Sequence, residues 1–331
     1  RTPTPIMMTK TRRPTTMATT MTITTMTATT VYIKPTLAQL ENASFTITAN
    51  AVLSSGCTAT KNVVVTNNTK IWSGATTNWN LASNWKPTGV PVATNCIIVA
   101  NNTIVPGSSF EAYGRNLNVK STGVLTVSPS STLTITEGVT VDSGGAFTLE
   151  NTASLVQIND NADAGNIKVK VNTKPMRRYD YTYWSSPVAD QKLVTFSPLT
   201  LSDKYYSFNG TNWFIENRDN LMTPGRGYII RAPQGWNGNI THGGTSQNET
   251  HANGSFDPGV FKGVFKGKAN AGDITVPLLG NVGSSNLLGN PYPSAISTQD
   301  FIAANPGKID GTFYFWTHKT RVSTTPNANG T

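Results

Sequence analysis

The chain has 331 residues, of which 37% are apolar and 13% charged, with 28 Gly, 19 Pro, 2 Cys and a formal net charge of +9. The charged fraction is about half of that in ordinary soluble proteins, and no apolar run approaches the roughly 18 residues of a membrane-spanning helix. These values exclude a coiled coil, a typical helical enzyme, a transmembrane protein, a disulfide-rich scaffold and a four-thiolate zinc site.

Residues 1–34 carry five basic residues and no acidic one, so the rest of the chain holds 21 basic and 17 acidic residues, a net charge of only +4. Residues 1–30 contain 14 Thr and 5 Met without helical or strand periodicity, which predicts a disordered tract. Two interpretations stay open: a Thr-rich linker, or an out-of-frame reading of an acidic, Asp/Gly-rich calcium-binding linker. Asp codons shifted by one nucleotide give Met and Thr, so sequencing the gene separates the two.

Residues 35–68 are predicted to form β-strands, because alternating and β-branched residues lie on both sides of a turn at Gly56-Cys57. The stretch resembles the last strands of an immunoglobulin-like repeat. The resemblance implies that Cys57 pairs with Cys96 or with a cysteine outside this chain, while two free thiols are equally compatible with the sequence.

Residues 69–160 combine a tryptophan cluster with a repeat. Trp72, Trp79 and Trp85 are interpreted as a cap on the open end of a solenoid, in preference to a platform for stacking glycans. Pairs of apolar residues then begin at positions 117, 125, 133, 139, 147 and 155, separated by small turn residues. This spacing predicts a β-solenoid, similar to a parallel β-helix, of about two turns with a dry core; a meander of hairpins is the alternative.

Residues 161–331 are predicted to form an aromatic-rich β-sandwich, because many short strands alternate with Gly and Pro turns. Asn209-Gly210 predicts a hairpin with a type I′ turn. A capping box from Ser297 to Asp300 predicts the one short helix, over 298–304. Residues 311–316 are predicted to form the last strand.

Six segments of this second domain occur in the order YDYTYWSSPV, LSDKYYSFN, MTPGRGYIIRAP, FKGV, NLLGNPYPSAIS and GTFYFWTH. With the Trp-rich leading segment and the β-helical stretch, they resemble the large secreted, adhesin-like surface proteins of Bacteroidota exported by type IX secretion. The resemblance covers residues 70–320. It implies an extracellular or cell-surface protein that uses this secretion machinery, and a chain cut off before the C-terminal sorting domain. It brings no catalytic residues.

Candidate catalytic and metal-binding groups are sparse. His242 and His251 lie nine residues apart in a Gly/Asn-rich loop, a spacing that favours a solvated loop over a zinc site. Asp160 and Asp163 are weak calcium candidates, because the sequence NDNADAGN matches no EF-hand-type loop and favours a plain Asn/Asp turn. No catalytic residue and no cofactor other than calcium is predicted.

The sequence therefore predicts a non-enzymatic structural or adhesion module. Its ligand-binding candidates are the aromatic residues Trp213, Trp236 and Tyr206, with surface glycans or other cell-surface proteins as partners. The alternative is a carbohydrate-binding module attached to a polysaccharide-active enzyme. Nucleic acid is not a predicted partner, because the basic residues at 168–178 are interpreted as the solvated face of a strand. Membrane insertion is not predicted either.

Overall fold

The computed structural model describes residues 18–23, 33–52, 55–161, 163–176, 179–234, 259–279 and 283–315. The strands are β1 (Ala18–Ile23), β2 (Ser44–Val52), β3 (Thr58–Thr66), β4 (Thr69–Trp72), β5 (Trp85–Lys86), β6 (Cys96–Val99), β7 (Asn102–Val105), β8 (Glu111–Gly114), β9 (Asn116–Val119), β10 (Val124–Val127), β11 (Thr132–Ile135), β12 (Val139–Val141), β13 (Ala146–Leu149), β14 (Ser154–Gln157), β15 (Ile167–Asn172), β16 (Tyr181–Trp184), β17 (Tyr205–Phe208), β18 (Trp213–Ile215), β19 (Tyr228–Arg231) and β20 (Lys262–Gly267). The α-helices are α1 (Leu37–Leu40), α2 (Leu193–Phe196) and α3 (Thr298–Ala304). The predicted all-β fold is confirmed.

A small sheet in the order β1, β2, β3 begins the described chain. β2 and β3 form an antiparallel hairpin, in register from Ser44 opposite Thr66 to Val52 opposite Thr58. β1 runs parallel to β2. Within the tract 1–34, where disorder is predicted, the structure thus places Ala18–Ile23 in a strand. The edge of β2 that faces away from β3 has backbone groups with which β1 can pair, and the β-branched residues of β1 suit an extended strand.

Three sheets wind into a parallel β-solenoid, their strands ordered β12-β9-β6-β4-β5, β20-β15-β13-β10-β7 and β14-β11-β8. One turn consists of β6, β7 and β8, the next of β9, β10 and β11, and the third of β12, β13 and β14. Leu117 lies opposite Val139, and Val124 lies opposite Ala146, each 22 residues further along the chain. The predicted solenoid is confirmed, but it has about three turns where two were predicted.

The solenoid core follows from side chains that alternate inward and outward along each short strand. Most of the inward residues predicted from the repeat are buried: Leu117, Val119, Leu125, Val127, Leu133, Ile135, Val139, Val141, Phe147, Leu149 and Leu155. The last predicted unit also included Val156 and Ile158, but Val156 is only half-buried and Ile158 is 60% exposed. The sequence did not predict the first turn, because its inward positions in β7 and β8 include the small or polar residues Thr103, Ala112 and Gly114. A Cβ atom at Gly114 would lie 2.2 Å from Cδ1 of Ile97, so this small residue leaves room for a larger neighbour.

The N-terminal end of the solenoid is closed by Trp72, Trp79 and Trp85, each no more than 1% exposed. The ring of Trp85 makes edge-to-face contacts with the other two, at centroid distances of 5.0 and 4.7 Å. Nε1 of Trp85 donates to the Trp79 carbonyl at 2.8 Å, and Nε1 of Trp72 donates to the Asn102 carbonyl at 3.1 Å. The predicted cap is confirmed, and these indoles have no free face for a sugar.

The other end of the solenoid leads directly into a sandwich-like second unit. β15 continues a solenoid sheet, and β20 pairs antiparallel with it. Opposite these strands lies a four-stranded antiparallel sheet in the order β16-β19-β17-β18. Trp184 from that sheet contacts Phe265 of β20, with ring centroids 6.1 Å apart, and Phe196 of α2 stacks on Phe265 at 4.3 Å. One buried cluster therefore runs through the cap, the solenoid and the second unit.

The segment NLLGNPYPSAIS joins the two units. The Leu155 amide of β14 donates to the Pro293 carbonyl at 2.7 Å, so the segment covers the last strand of a solenoid sheet. The Gly227 amide donates to the Leu287 carbonyl at 3.0 Å. Asn270, 9% exposed, donates to two backbone carbonyls of the second unit at 3.1 and 2.9 Å. The sequence motifs of this unit thus make the contacts that hold it together.

Three local predictions, for the β17–β18 hairpin, the helices and the last strand, need correction or completion. The hairpin of β17 and β18 is present, but its loop spans 209–212, because Asn209 Oδ1 accepts from the amides of Thr211 and Asn212 at 3.0 and 2.8 Å. Helix α3 is confirmed, with Ser297 capping the Asp300 amide at 3.2 Å, but α1 and α2 were not predicted. Residues 311–315 form no strand, since the described chain offers them no pairing partner.

Candidate functional site

The outer surface of the four-stranded sheet is the most distinctive exposed feature of the described chain. Every second residue of its strands points to one side, away from the second unit's core. We call this surface the aromatic face, and its residues are Tyr181, Tyr183, Tyr206, Phe208, Trp213, Ile215, Ile229 and Arg231. Most of them are half-buried, while Trp213 is 44% and Ile215 is 62% exposed.

Strand pairing explains why these side chains converge. Tyr181 lies opposite Arg231 and Tyr183 opposite Ile229, while Tyr206 lies between Ile229 and Ile215. The intervening residues face inward and anchor the sheet: Trp184, Tyr205, Tyr228 and Ile230 are all at most 7% exposed. A rigid inner layer therefore holds the outer rings in fixed positions.

The rings of the aromatic face touch one another across the sheet. The Tyr181 and Tyr206 rings meet edge-on, with centroids 6.0 Å apart. The indole of Trp213, on the edge strand β18, lies 5.1 Å from the ring of Phe208 and 6.2 Å from that of Tyr183, on the opposite edge strand. The rings thus form a continuous surface across the sheet. The ring faces are apolar, and the tyrosine hydroxyls are the polar groups of this surface.

Two cations adjoin one end of the aromatic face. The Arg231 guanidinium lies 5.7 Å from the centre of the Tyr179 ring. The Arg231 amide donates to the Lys204 carbonyl at 3.2 Å, so these two residues are neighbours across adjacent strands. Burial, together with the neighbouring Tyr206 hydroxyl, raises the pKa of Tyr181, and the two cations oppose this rise. Burial also raises the pKa of Tyr183, so both phenols stay protonated at neutral pH.

The structure brings two of the three predicted ligand-binding residues together. Trp213 and Tyr206 lie on the same face of the same sheet. Trp236 lies outside the described residues, as do His242 and His251. The sequence did not single out Tyr181, Tyr183, Phe208 or Arg231 as site residues. Alternation in the segment YDYTYW could have indicated the two tyrosines, but only the pairing of β16 with β19 places them beside Arg231.

The calcium candidates lie at the boundary of the solenoid and are engaged differently from one another. Asp163 Oδ1 accepts from the Val139 amide at 2.7 Å, and both carboxylate oxygens accept from the Gln157 side-chain amide at 3.0 and 2.9 Å. The Asp160 carboxylate packs against Gly272, where a Cβ atom would lie 2.3 Å from its Cγ. Asp163 thus holds the neighbouring solenoid turn through hydrogen bonds.

Among the residues the structure describes, no three His, Cys, Asp or Glu side chains are grouped so that they could hold a metal ion. Cys57 and Cys96 are both free thiols, so the pairing considered from the sequence is not formed. In the basic stretch, Lys168 is exposed on β15 and Lys170 pairs with Glu150 at 2.6 Å.

The fold defines an all-β protein: a capped, three-turn parallel β-solenoid that carries an antiparallel sheet with an exposed aromatic face. The chain belongs to a family described as a domain of unknown function, DUF8693, whose model matches residues 71–329. The match spans the tryptophan cap, the solenoid and the second unit together. No curated protein and no solved structure matches the chain. Within the described residues, no helix is long and apolar enough to cross a membrane.

Proposed function

We propose that the chain is a non-enzymatic structural and adhesion module of a large secreted or cell-surface bacterial protein. The observation that carries the proposal is the aromatic face, held outward on a sheet whose inner side shares a core with the solenoid. An adhesion module needs a binding surface on a support that transmits force, and this arrangement supplies both.

The solenoid suits the role of a stiff spacer. Its turns stack in register, so each strand is hydrogen-bonded along the length of the sheet. Asn78 of the cap bridges to Ile104 of β7, and the segment NLLGNPYPSAIS covers β14, which limits edge-to-edge aggregation at these strands. Ion pairs also join successive turns: Arg115–Glu137, Lys120–Asp142 and Glu150–Lys170. Each exposed pair contributes at most about 1 kcal/mol, so the backbone ladder and core dominate.

The second candidate is a carbohydrate-binding module attached to a polysaccharide-active enzyme. The same aromatic face favours it, because half-buried rings with hydroxyl groups can pack on sugar rings and hydrogen-bond their substituents. The two candidates share the binding surface and differ in what the rest of the whole protein does. In both, glycans are the ligands that fit the face best.

A binding panel tests the proposal. Purified full chain is applied to immobilised polysaccharides and to cell-surface extracts, beside the variants Trp213→Ala and Tyr113→Ala. Tyr113 is the control, since it is a 38% exposed aromatic on the solenoid, far in sequence from the sheet. We expect Trp213→Ala to weaken glycan binding about tenfold or more and Tyr113→Ala to leave it unchanged. Equal binding by both variants would place the ligand elsewhere, and release of sugar by the chain alone would overturn the non-enzymatic assignment.

A further inference from the structure

The charge beside the aromatic face is concentrated at one end. Lys204 and Arg231 are joined by a backbone hydrogen bond of 3.2 Å, and Arg231 lies directly opposite Tyr181 in the strand register. Asp203 pairs with Lys204 at 2.7 Å. Among the described residues, Arg231 forms no ion pair and its Nε atom has no hydrogen-bond partner. The local balance is therefore one unmatched positive charge next to the tyrosine rings.

The positions of these groups suit a ligand that combines sugar rings with isolated acidic groups. Planar guanidinium groups bind carboxylate and sulfate through two parallel hydrogen bonds. The phenol groups of Tyr181 and Tyr206 lie beside that charge and hydrogen-bond each other. At the other end of the face, Trp213 and Phe208 provide apolar surface without charge. A chain of sugars lying along the sheet would meet stacking surface first and a cation at its end.

The sparse charge argues against nucleic acid as the ligand. Single strands carry a phosphate on every nucleotide and are held in grooves lined with many basic residues. The aromatic face has two adjacent cations at one end, one of them neutralised by Asp203. A polymer in which acidic groups are spaced between neutral ones, or are held by only one or two contacts, matches this distribution better.

We propose that the aromatic face binds an acidic polysaccharide, with Trp213 and Phe208 stacking on sugar rings and Arg231 with Lys204 holding a carboxylate or sulfate group. This inference rests on the proposed glycan-binding role of the same face and specifies its ligand class. Arg231 is the residue that sets selectivity for acidic over neutral sugars, while Trp213 supplies affinity for both.

The test uses pairs of polymers that differ only in charge. The full chain is titrated with hyaluronate, which carries a carboxylate on every second sugar, and with fully methyl-esterified hyaluronate, and with chondroitin sulfate and unsulfated chondroitin methyl ester. Poly(dT) is included as a nucleic acid. We expect at least one acidic polymer to bind tenfold or more tightly than its neutral counterpart, and the preference to shrink as salt is raised from 50 to 500 mM, roughly as expected for screened charges.

Variants locate the selectivity. Arg231→Gln is expected to lower affinity for the acidic polymer about tenfold and to leave affinity for the neutral one unchanged, while Arg231→Lys restores part of it. Lys204→Gln is a second variant in case Arg231→Gln fails to fold. Lys168→Gln, which removes an equal charge from an exposed position on β15, is the control.

The outcomes separate the selectivity for acidic polymers from the glycan-binding role of the aromatic face. Equal binding of acidic and neutral polymers would overturn the acidic selectivity and leave the glycan-binding role standing. Tighter binding of poly(dT) than of any polysaccharide would favour nucleic acid and contradict both. No binding of any polymer, with the cell-surface extracts still captured through Trp213, would show that the face binds protein instead.

Discussion

Replacing Trp85 with alanine tests whether the tryptophan cap holds the solenoid together. The side chain is fully buried, it makes two edge-to-face ring contacts, and its Nε1 atom donates a hydrogen bond of 2.8 Å to a backbone carbonyl. Trp213 is the matched comparison, because Trp213→Ala removes the same atoms from a side chain that is 44% exposed.

The magnitude follows from burial. A buried Trp removes about 150–250 Å² from water, which at about 25 cal/mol per Å² amounts to roughly 4–6 kcal/mol for the whole side chain. Measured losses for buried Trp or Phe replaced by Ala are about 3–5 kcal/mol. We therefore expect Trp85→Ala to lower the free energy of unfolding by about 4 kcal/mol and Trp213→Ala, whose side chain is 44% exposed, by about 2 kcal/mol.

The assay is urea unfolding of the full chain, monitored by far-UV circular dichroism. The shift of the urea midpoint is converted into a change in the free energy of unfolding with the slope (m value) common to the variants. Trp85→Phe, which keeps a ring in the cap, should recover part of the loss. A change below about 1 kcal/mol for Trp85→Ala, or an equal change for Trp213→Ala, would refute the cap and the division between buried and exposed tryptophans.

Three further outcomes follow from the described contacts. Burial raises the pKa of Tyr205 from 10.0 to about 12. Stability should therefore be full below pH 10 and fall as the pH rises from 10 to 12, because the unfolded state ionises first. In Tyr205→Phe, the urea midpoint should fall much less over this pH range than in the wild type. Gly123→Ala should destabilise by about 1–3 kcal/mol, because its Cβ would lie 2.2 Å from a backbone oxygen, whereas Gly107→Ala, with its nearest atoms at 3.7 Å, should stay within about 1 kcal/mol in thermal melts. Asn270→Ala should lower stability by about 2 kcal/mol, because two carbonyls lose a buried donor, and comparable melts of Asn270→Ala and wild type would contradict the role of Asn270 in holding the segment NLLGNPYPSAIS to the second unit.

The solenoid could be predicted where its inward residues are large. Pairs of apolar residues such as Leu125/Val127 and Phe147/Leu149 mark each strand. The three steps from one pair to the third pair after it sum to 22 residues, the separation of partners in adjacent turns. The turn formed by β6, β7 and β8 could not be counted in this way. Its inward Ala112 and Gly114 carry little apolar surface, and the space beside Gly114 is filled by Ile97 from another strand.

The aromatic face could be predicted only in part. Exposed aromatic residues in β17 and β18 indicated Trp213 and Tyr206 as candidates. Their grouping with Tyr183 and Arg231 depends on β16 and β19, which pair with each other although more than forty residues separate them in the chain. Sequence alternation tells which residues of a strand share a side, but not which side of which neighbouring strand they meet.

Ligand-induced change in the fluorescence of Trp213 tests the proposed binding face most directly. Trp236 and Trp316 are first replaced by phenylalanine. Of the five tryptophans that remain, Trp213 is exposed, and the other four are buried: Trp72, Trp79, Trp85 and Trp184. Titration with the tightest-binding acidic polysaccharide should change the emission saturably, and adding Trp213→Phe should abolish the change while circular dichroism stays the same. An equal change in emission after Trp213→Phe, or saturable binding with no change in emission at all, would contradict the aromatic face as the binding surface.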